Sequence, residues 1–392
     1  MFKNKIIYLL ILLFFSPAPV FCEEKEPPSL EWLKLSELAK KNWNTYFAEE
    51  DPAILYARPA WKKKPEKKIL VIISKQSSSY SFASSVLLEV LFHEDISVKI
   101  TFINFNKEEE RGKAAISYAE DENFDLIFTM GSESATFIYK NYNGGKIPVV
   151  TCTNKDPVLL GYIKDYENGS GSNIAFTSLN VPLDIQMNYL TRLKPNLKNI
   201  GIMYDRTHNE VMATEVIPSK KEFAGLGIKI SDIALQGDYN AKEELSIQIP
   251  LAIEEMKKND PTLENSIFWM TSSTAVFSEM KTVTELTGNI PLIGSIPNIV
   301  TQGRHSAVLA IGIDRRNNAY LASLYAIKIL RDKVKPGDLK VGIVSPPDVA
   351  VNFLVAKKIG LKIPFDFFES AAFIYDYQGK AVRSFGQNTS GK

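Results

Sequence analysis

Two successive series of near-continuous apolar runs, each followed by an amphipathic stretch, constrain this chain more than any other feature. The first series reads ILVIIS (69–74), VKITFIN (98–104), LIFTMG (126–131), PVVTCT (148–153) and a last run at 174–178. Short runs that are apolar at every position are strands of a parallel sheet buried on both faces, because alternation would appear if one face met water. Helices are expected between them, over 80–92, 107–121 and 133–142. After Val181 the rhythm restarts: a helix through Leu193, then NIGIMY (199–204), IKISDIAL (228–235), SIFWMT (266–271), PLIGS (291–295) and SAVLAIGI (306–313). Helices are expected over 211–225, 245–257, 275–287, 317–330 and 351–359. The expected fold class is α/β, with two Rossmann-like lobes built on one plan.

The chain ends carry different signals. Lys3 and Lys5 precede a compact apolar run, Ile6 to Phe15, followed by Ser-Pro-Ala-Pro and Cys22. That is the pattern of an export leader over 1–22; the run is about ten residues, against the ~20 that span a bilayer. Cys22 reads either as the last residue before cleavage or as a lipidated first residue. Residues 23–67 are expected to form an arm, with a helix from Leu30 to Phe47 capped by Ser29, and a basic linker from Trp61 to Lys68. Residues 365–392 form a tail in which FIYDYQGKAVR (373–383) resembles a hairpin.

Only one other cysteine exists, Cys152, so no internal disulfide is available and core burial must hold the fold. The 392 residues exceed what one core usually organises, so two lobes with a groove between them are expected. Lysine and arginine total 46 against 45 acidic residues, a balance that disfavours nucleic acid or an anionic membrane as the main partner. Small molecules and other proteins remain as partners, and no cofactor is called for.

In an open parallel sheet, ligands bind beyond the carboxyl ends of the strands. That rule selects the loops 74–81, 131–135 and 153–157 in the first unit, and 204–210, 271–275, 295–300 and 312–314 in the second, the last ending at Asp314. They are rich in Ser, Thr and Asn, which suits hydrogen bonding to a small solute and a helix N-terminus facing a carboxylate. Each such residue also suits a plain helix cap. Tyr80, Tyr204 and Phe277 stand in or just after these loops, where they either stack on a flat ligand or fill core and rim. No glycine-rich dinucleotide turn, phosphate loop or nucleophile elbow is present, and the three histidines, His93, His208 and His305, are scattered singly. No catalytic group and no metal site is expected.

The runs KIPVVTCTNKDP (146–157), KPNLKNIGIMY (194–204), IGID (311–314) and VNFLVAKKIGLKIP (351–364), in this order, resemble the ABC-transporter substrate-binding proteins of the tryptophan/tyrosine-uptake type over about residues 68–364. The resemblance implies a type I periplasmic-binding fold, its lobes joined by a three-segment hinge near Asn180, Asp314 and Lys335. Lobe one would comprise 68–180 and 315–335, and lobe two 181–314 and 336–364. It carries over Ser78, Ser132, Ser134, Thr153 and Asp156 from lobe one, and Tyr204, Asn209, Ser273, Thr274 and Asn298 from lobe two. It implies a monomer in the periplasm or on the outer cell surface that hands an amino acid or aromatic compound to an ABC permease in the inner membrane, Asp156 pairing with an ammonium. A sensing subunit that passes its closed state to a membrane receptor is the alternative. Lys155, Asp205 and Arg206 add charge where that family is often neutral.

Overall fold

The computed structural model describes residues 32–62, 67–301 and 303–388. The leader, Cys22 and Ser29 therefore lie outside the described residues. The first sheet contains β1 (Trp43–Phe47), β2 (Ile54–Pro59), β3 (Lys67–Ile73), β4 (Val98–Asn104), β5 (Leu126–Met130), β6 (Val149–Cys152) and β7 (Ile174–Ala175), in the order β1-β2-β4-β3-β5-β6-β7. From β4 to β7 all neighbours are parallel. The central strands β3 and β5 bury Ile69, Val71, Leu126 and Phe128 completely, as their unbroken apolar sequences require. Helices α1 (Glu37–Asn42), α2 (Ser78–His93), α3 (Glu109–Asp121) and α4 (Ser132–Tyr142) accompany it.

The arm departs from the expected helix. Ser36 caps α1 by accepting from the Ala39 amide, and the helix stops after Asn42. WNTYF then pairs antiparallel with ILYARP, which in turn pairs with β4, so the arm adds a hairpin to the sheet. The reason is local: Thr45, Tyr46 and Phe47 favour the extended state, and Trp43 is fixed in the lobe-one core by its indole N–H donating to the Leu88 carbonyl at 3.0 Å.

A short strand, β8 (Thr177–Ser178), leads out of the first lobe. The second sheet contains β9 (Asn199–Asp205), β10 (Lys229–Leu235), β11 (Ser266–Met270), β12 (Leu292–Gly294) and β13 (Leu309–Gly312), and its parallel part has the order β10-β9-β11-β12-β13, the same plan as the first. Its helices are α5 (Leu183–Leu193), α6 (Asn209–Val211) continuing through a π turn (Met212–Val216) into α7 (Ile217–Gly225), α8 (Ala241–Lys257), α9 (Thr274–Ser278) and α10 (Met280–Thr287). Helix α11 (Arg315–Leu330) returns to lobe one, where Ala319, Ala322 and Ala326 join the core beneath α2.

The third crossing comes later than expected. Residues 336–343 still lie on lobe one: Gly171 donates to the Gly337 carbonyl at 3.0 Å, and β14 (Gly342–Ile343) pairs in parallel with β8. The chain crosses only beyond Ile343, entering lobe two at β15 (Asp348–Asn352), antiparallel to β13. Val351 and Asn352, expected at a helix start, are therefore strand residues; Asn352 caps α12 (Phe353–Lys358) by accepting from the Val355 amide at 3.0 Å. The tail is structural rather than appended. Helix α13 (Phe365–Ser370) sinks Phe367 into the lobe-two core, and β16 (Ala371–Tyr375), β17 (Ala381–Ser384) and β18 (Gln387–Asn388) extend the sheet beyond β15.

Candidate functional site

The carboxyl ends of both sheets face one another across a cleft of about 230 Å³. Lobe one contributes Lys75, Ser77, Ser79, Tyr80, Ser132, Glu133, Thr153 and Lys155; lobe two contributes His208, Glu210, Glu215, Ser272, Thr274, Ser295 and Asn298. Leu179, Asn180, Ile313 and Arg315 line it from the crossing segments. A second chamber of about 200 Å³ lies behind it, lined among others by Tyr166, Pro182, Thr214 and Trp269. Asn180, Gln186, Glu215 and Ser295 border both chambers.

The boundary between the chambers is a polar cluster. The Lys155 ammonium, from the loop after β6, donates to the Glu215 carboxylate and to the Ser272 hydroxyl. Glu215 also accepts from the Ser272 hydroxyl (2.5 Å), the Ser272 amide (2.9 Å) and the Ser295 hydroxyl (2.9 Å). The Lys155 and Glu215 side chains are 14% and 5% exposed, so this is a buried interlobe ion pair. Glu215 sits in the π turn between α6 and α7, a helical irregularity that often marks functional positions. Burial alone would raise the Glu215 carboxyl, but the Lys155 charge and the Ser272 donors outweigh it and hold the group below the ordinary glutamate value.

Other charges are placed around Tyr80. Glu133 pairs with Lys107 at 2.8 Å and Lys75 at 3.4 Å and accepts from Ser74 at 2.9 Å. Burial opposes ionisation of Glu133, yet these partners hold it below its ordinary value. Burial and the nearby Glu133 push the Tyr80 phenol up to about 12. Its ring lies over Gly131, whose φ of 89° and missing side chain make room: a Cβ there would overlap the Tyr80 hydroxyl. Arg315 and Glu210, both acting electrostatically on Tyr80, make no ion pair or side-chain hydrogen bond among the described residues.

The cleft gathers five of the residues selected from the sequence: Tyr80, Ser132, Thr153, Thr274 and Asn298. Ser132 accepts from the Lys155 amide at 3.0 Å, and Thr153 holds a φ of 54°, uncommon for a β-branched residue. The remaining ones do not line this cleft, although Asp156 borders the chamber behind it. Ser78 begins α2, and its neighbours Ser77 and Ser79 line the cleft instead. Ser134 is fully buried, and Asn209 is exposed at the start of α6. Tyr204 is in the lobe-two core with its hydroxyl 3.3 Å from Asp232. Ser273 caps α9, and Asp314 caps α11 while its amide donates to Asp348 at 2.7 Å. Phe277 is half-exposed and outside the cleft lining.

Asp156 turns into its own loop. Its carboxylate accepts from the amides of Val158 (2.9 Å) and Leu159 (3.0 Å) and from the Tyr166 hydroxyl (2.8 Å), and the residue is 1% exposed. Burial raises its pKa despite these donors. The sequence reading missed Glu215, Arg315 and Glu210. Glu215 carries no local signal, being one glutamate in an amphipathic helix; Arg315 lies one residue past a loop that the strand-end rule selected, and Glu210 is the last residue of another, where the Thr and Asn side chains drew the attention.

Comparison with known proteins agrees with this architecture. Residues 68–373 match the family model for ABC transporter substrate binding proteins. No curated protein sequence matches the chain. A ligand-free, open substrate binding protein with adhesive properties from Clostridium difficile is 21% identical, with a TM-score of 0.59 over 78% of this chain and 98% of that one. An ABC domain from Streptococcus pneumonia in complex with L-Trp is 19% identical, TM-score 0.60, over 79% of this chain and 99% of that one. A conserved domain protein from Vibrio cholerae is 18% identical, TM-score 0.60, over 79% and 100%. These likenesses show the fold, a type I periplasmic-binding architecture, and the family comprises binding proteins rather than enzymes. With its family model matched from residue 68 to residue 373, the chain belongs to the ABC transporter substrate binding proteins.

Proposed function

We propose that the chain captures a small zwitterionic metabolite of the amino-acid class, aromatic ones included, between its lobes and delivers it to an ABC permease. One observation carries this reading: of the charged groups lining the cleft, Arg315 and Glu210 have opposite signs and no ion-pair partner among the described residues, with Tyr80 near both. The guanidinium suits a carboxylate, the carboxylate suits an ammonium, and the ring offers an apolar face between them. The L-Trp complex of the Streptococcus pneumonia domain supports a solute of this class. The leader pattern ending at Cys22 supports export from the cytoplasm, with the protein acting as a monomer, free or lipid-anchored; among the described residues no helix is long and apolar enough to cross a membrane.

Thermal-shift and tryptophan-fluorescence titrations against a panel of amino acids and aromatic acids test the proposal. A saturable response to at least one zwitterion, lost in Arg315→Ala and weakened in Glu210→Gln, is expected. A panel without any response, or a response unaffected by both substitutions, refutes it.

A further inference from the structure

We infer that Lys155 is a tethered ammonium resident in a cation site built by lobe two, so that the chain latches its own cleft. The receptor is complete without any solute. Glu215 is held by two hydroxyls and one amide, from Ser272 and Ser295, and the one remaining strong interaction on the carboxylate is the Lys155 ammonium. That donor comes from the other lobe, on a loop whose own amide is anchored to Ser132. The pair is nearly sealed from water, so neither partner separates without leaving a buried charge uncompensated, which makes the contact an all-or-none one. Glu215 and Ser295 border both the chamber of about 230 Å³ and the one of about 200 Å³, and Lys155 lines only the first. The ammonium therefore covers the Glu215 carboxylate from the larger chamber, while Asn180, Gln186, Glu215 and Ser295 form the wall between the two.

A side chain in this position also sets specificity. The receptor takes a primary ammonium, and the resident lysine denies it to a solute while it stays in place. Whatever solute the protein carries places its own positive group elsewhere or first displaces Lys155. The inference concerns the chain's own residues and holds whichever metabolite the cleft accepts.

The experiment uses no metabolite. Lys155→Ala vacates the receptor, and ethylammonium serves as the probe, with tetramethylammonium, which has no N–H to donate, as the control. The melting temperature of Lys155→Ala is expected to rise saturably with ethylammonium and not with tetramethylammonium, while wild type and the double variant Lys155→Ala/Glu215→Gln show no such rise. Absence of the rise in Lys155→Ala, or an equal rise in the double variant, overturns the resident-cation assignment. Because a lone buried Glu215 can prevent folding, the uncharged pair Lys155→Met/Glu215→Gln is measured as well. Its radius of gyration in solution is expected to exceed that of wild type without any added solute, and an unchanged value overturns the latch.

Discussion

Replacing Asp156 by alanine separates two roles that the sequence alone leaves merged, ligand anchor and loop brace. The carboxylate accepts three hydrogen bonds, from Val158 N, Leu159 N and the Tyr166 hydroxyl, at 2.8–3.0 Å. Hydrogen bonds to a charged acceptor contribute about 1.5–3 kcal/mol each, and removing one partner strands the other. Against this stands the cost of burying the carboxylate, evident in its raised pKa, which the substitution relieves. The net loss is therefore well below the sum, about 2–4 kcal/mol. Asp156→Asn keeps one acceptor oxygen and should lose roughly half as much. Urea unfolding of the wild type and both variants gives the stabilities, and titration with a responsive solute at a temperature where all are folded gives the affinities. Asp156→Ala should lower stability by the stated amount and change the affinity of the folded protein less than about threefold, under 1 kcal/mol. A variant of unchanged stability whose affinity falls more than tenfold would show that the carboxylate meets the ligand, and would refute the loop-brace assignment.

Further consequences follow from the packing and the charges. The folded-state pKa of Glu215 lies below its unfolded value, so the stability it confers is present above the ordinary glutamate range and lost as pH falls through the folded value; Glu215→Gln should flatten the acid limb of a plot of unfolding free energy against pH. Phe367→Ala should cost about 3–5 kcal/mol in urea unfolding, because the ring is fully enclosed in the lobe-two core, and a loss under 1 kcal/mol would return the tail to the status of an appendage. Gly131→Ala, at φ 89°, must displace the Tyr80 ring; solute affinity should fall along with stability, and a variant with wild-type affinity would exclude Tyr80 from the site.

The parallel sheets were legible because a strand buried on both faces leaves a signature that needs no knowledge of its neighbours. ILVII and LIFTM read the same way wherever they stand. The arm was misread because Leu30, Leu33, Leu38 and Trp43 also fit a helical spacing; the pairing that makes WNTYF a strand lies with ILYARP, outside any local window. The cleft was legible at the level of loops and only partly at the level of side chains. Ser273, Asp314 and Asp156 satisfy amides of their own turns, a use that sequence does not distinguish from ligand contact. Lys155 stood out as an added charge, but its partner is 60 residues away in a helix whose π turn rotates Glu215 toward the other lobe's loop, and nothing in the sequence encodes that meeting.

The two added margins have a practical consequence. The N-terminal hairpin is fastened to the outer edge of the first sheet, and the C-terminal strands to the outer edge of the second. The two ends of the described chain thus ride on different lobes, and the edge strands at both margins line neither chamber of the cleft. A donor and an acceptor dye, one on each margin, would convert lobe separation into energy transfer. The chain then serves as its own ruler for solute capture, with every cleft residue left as nature placed it.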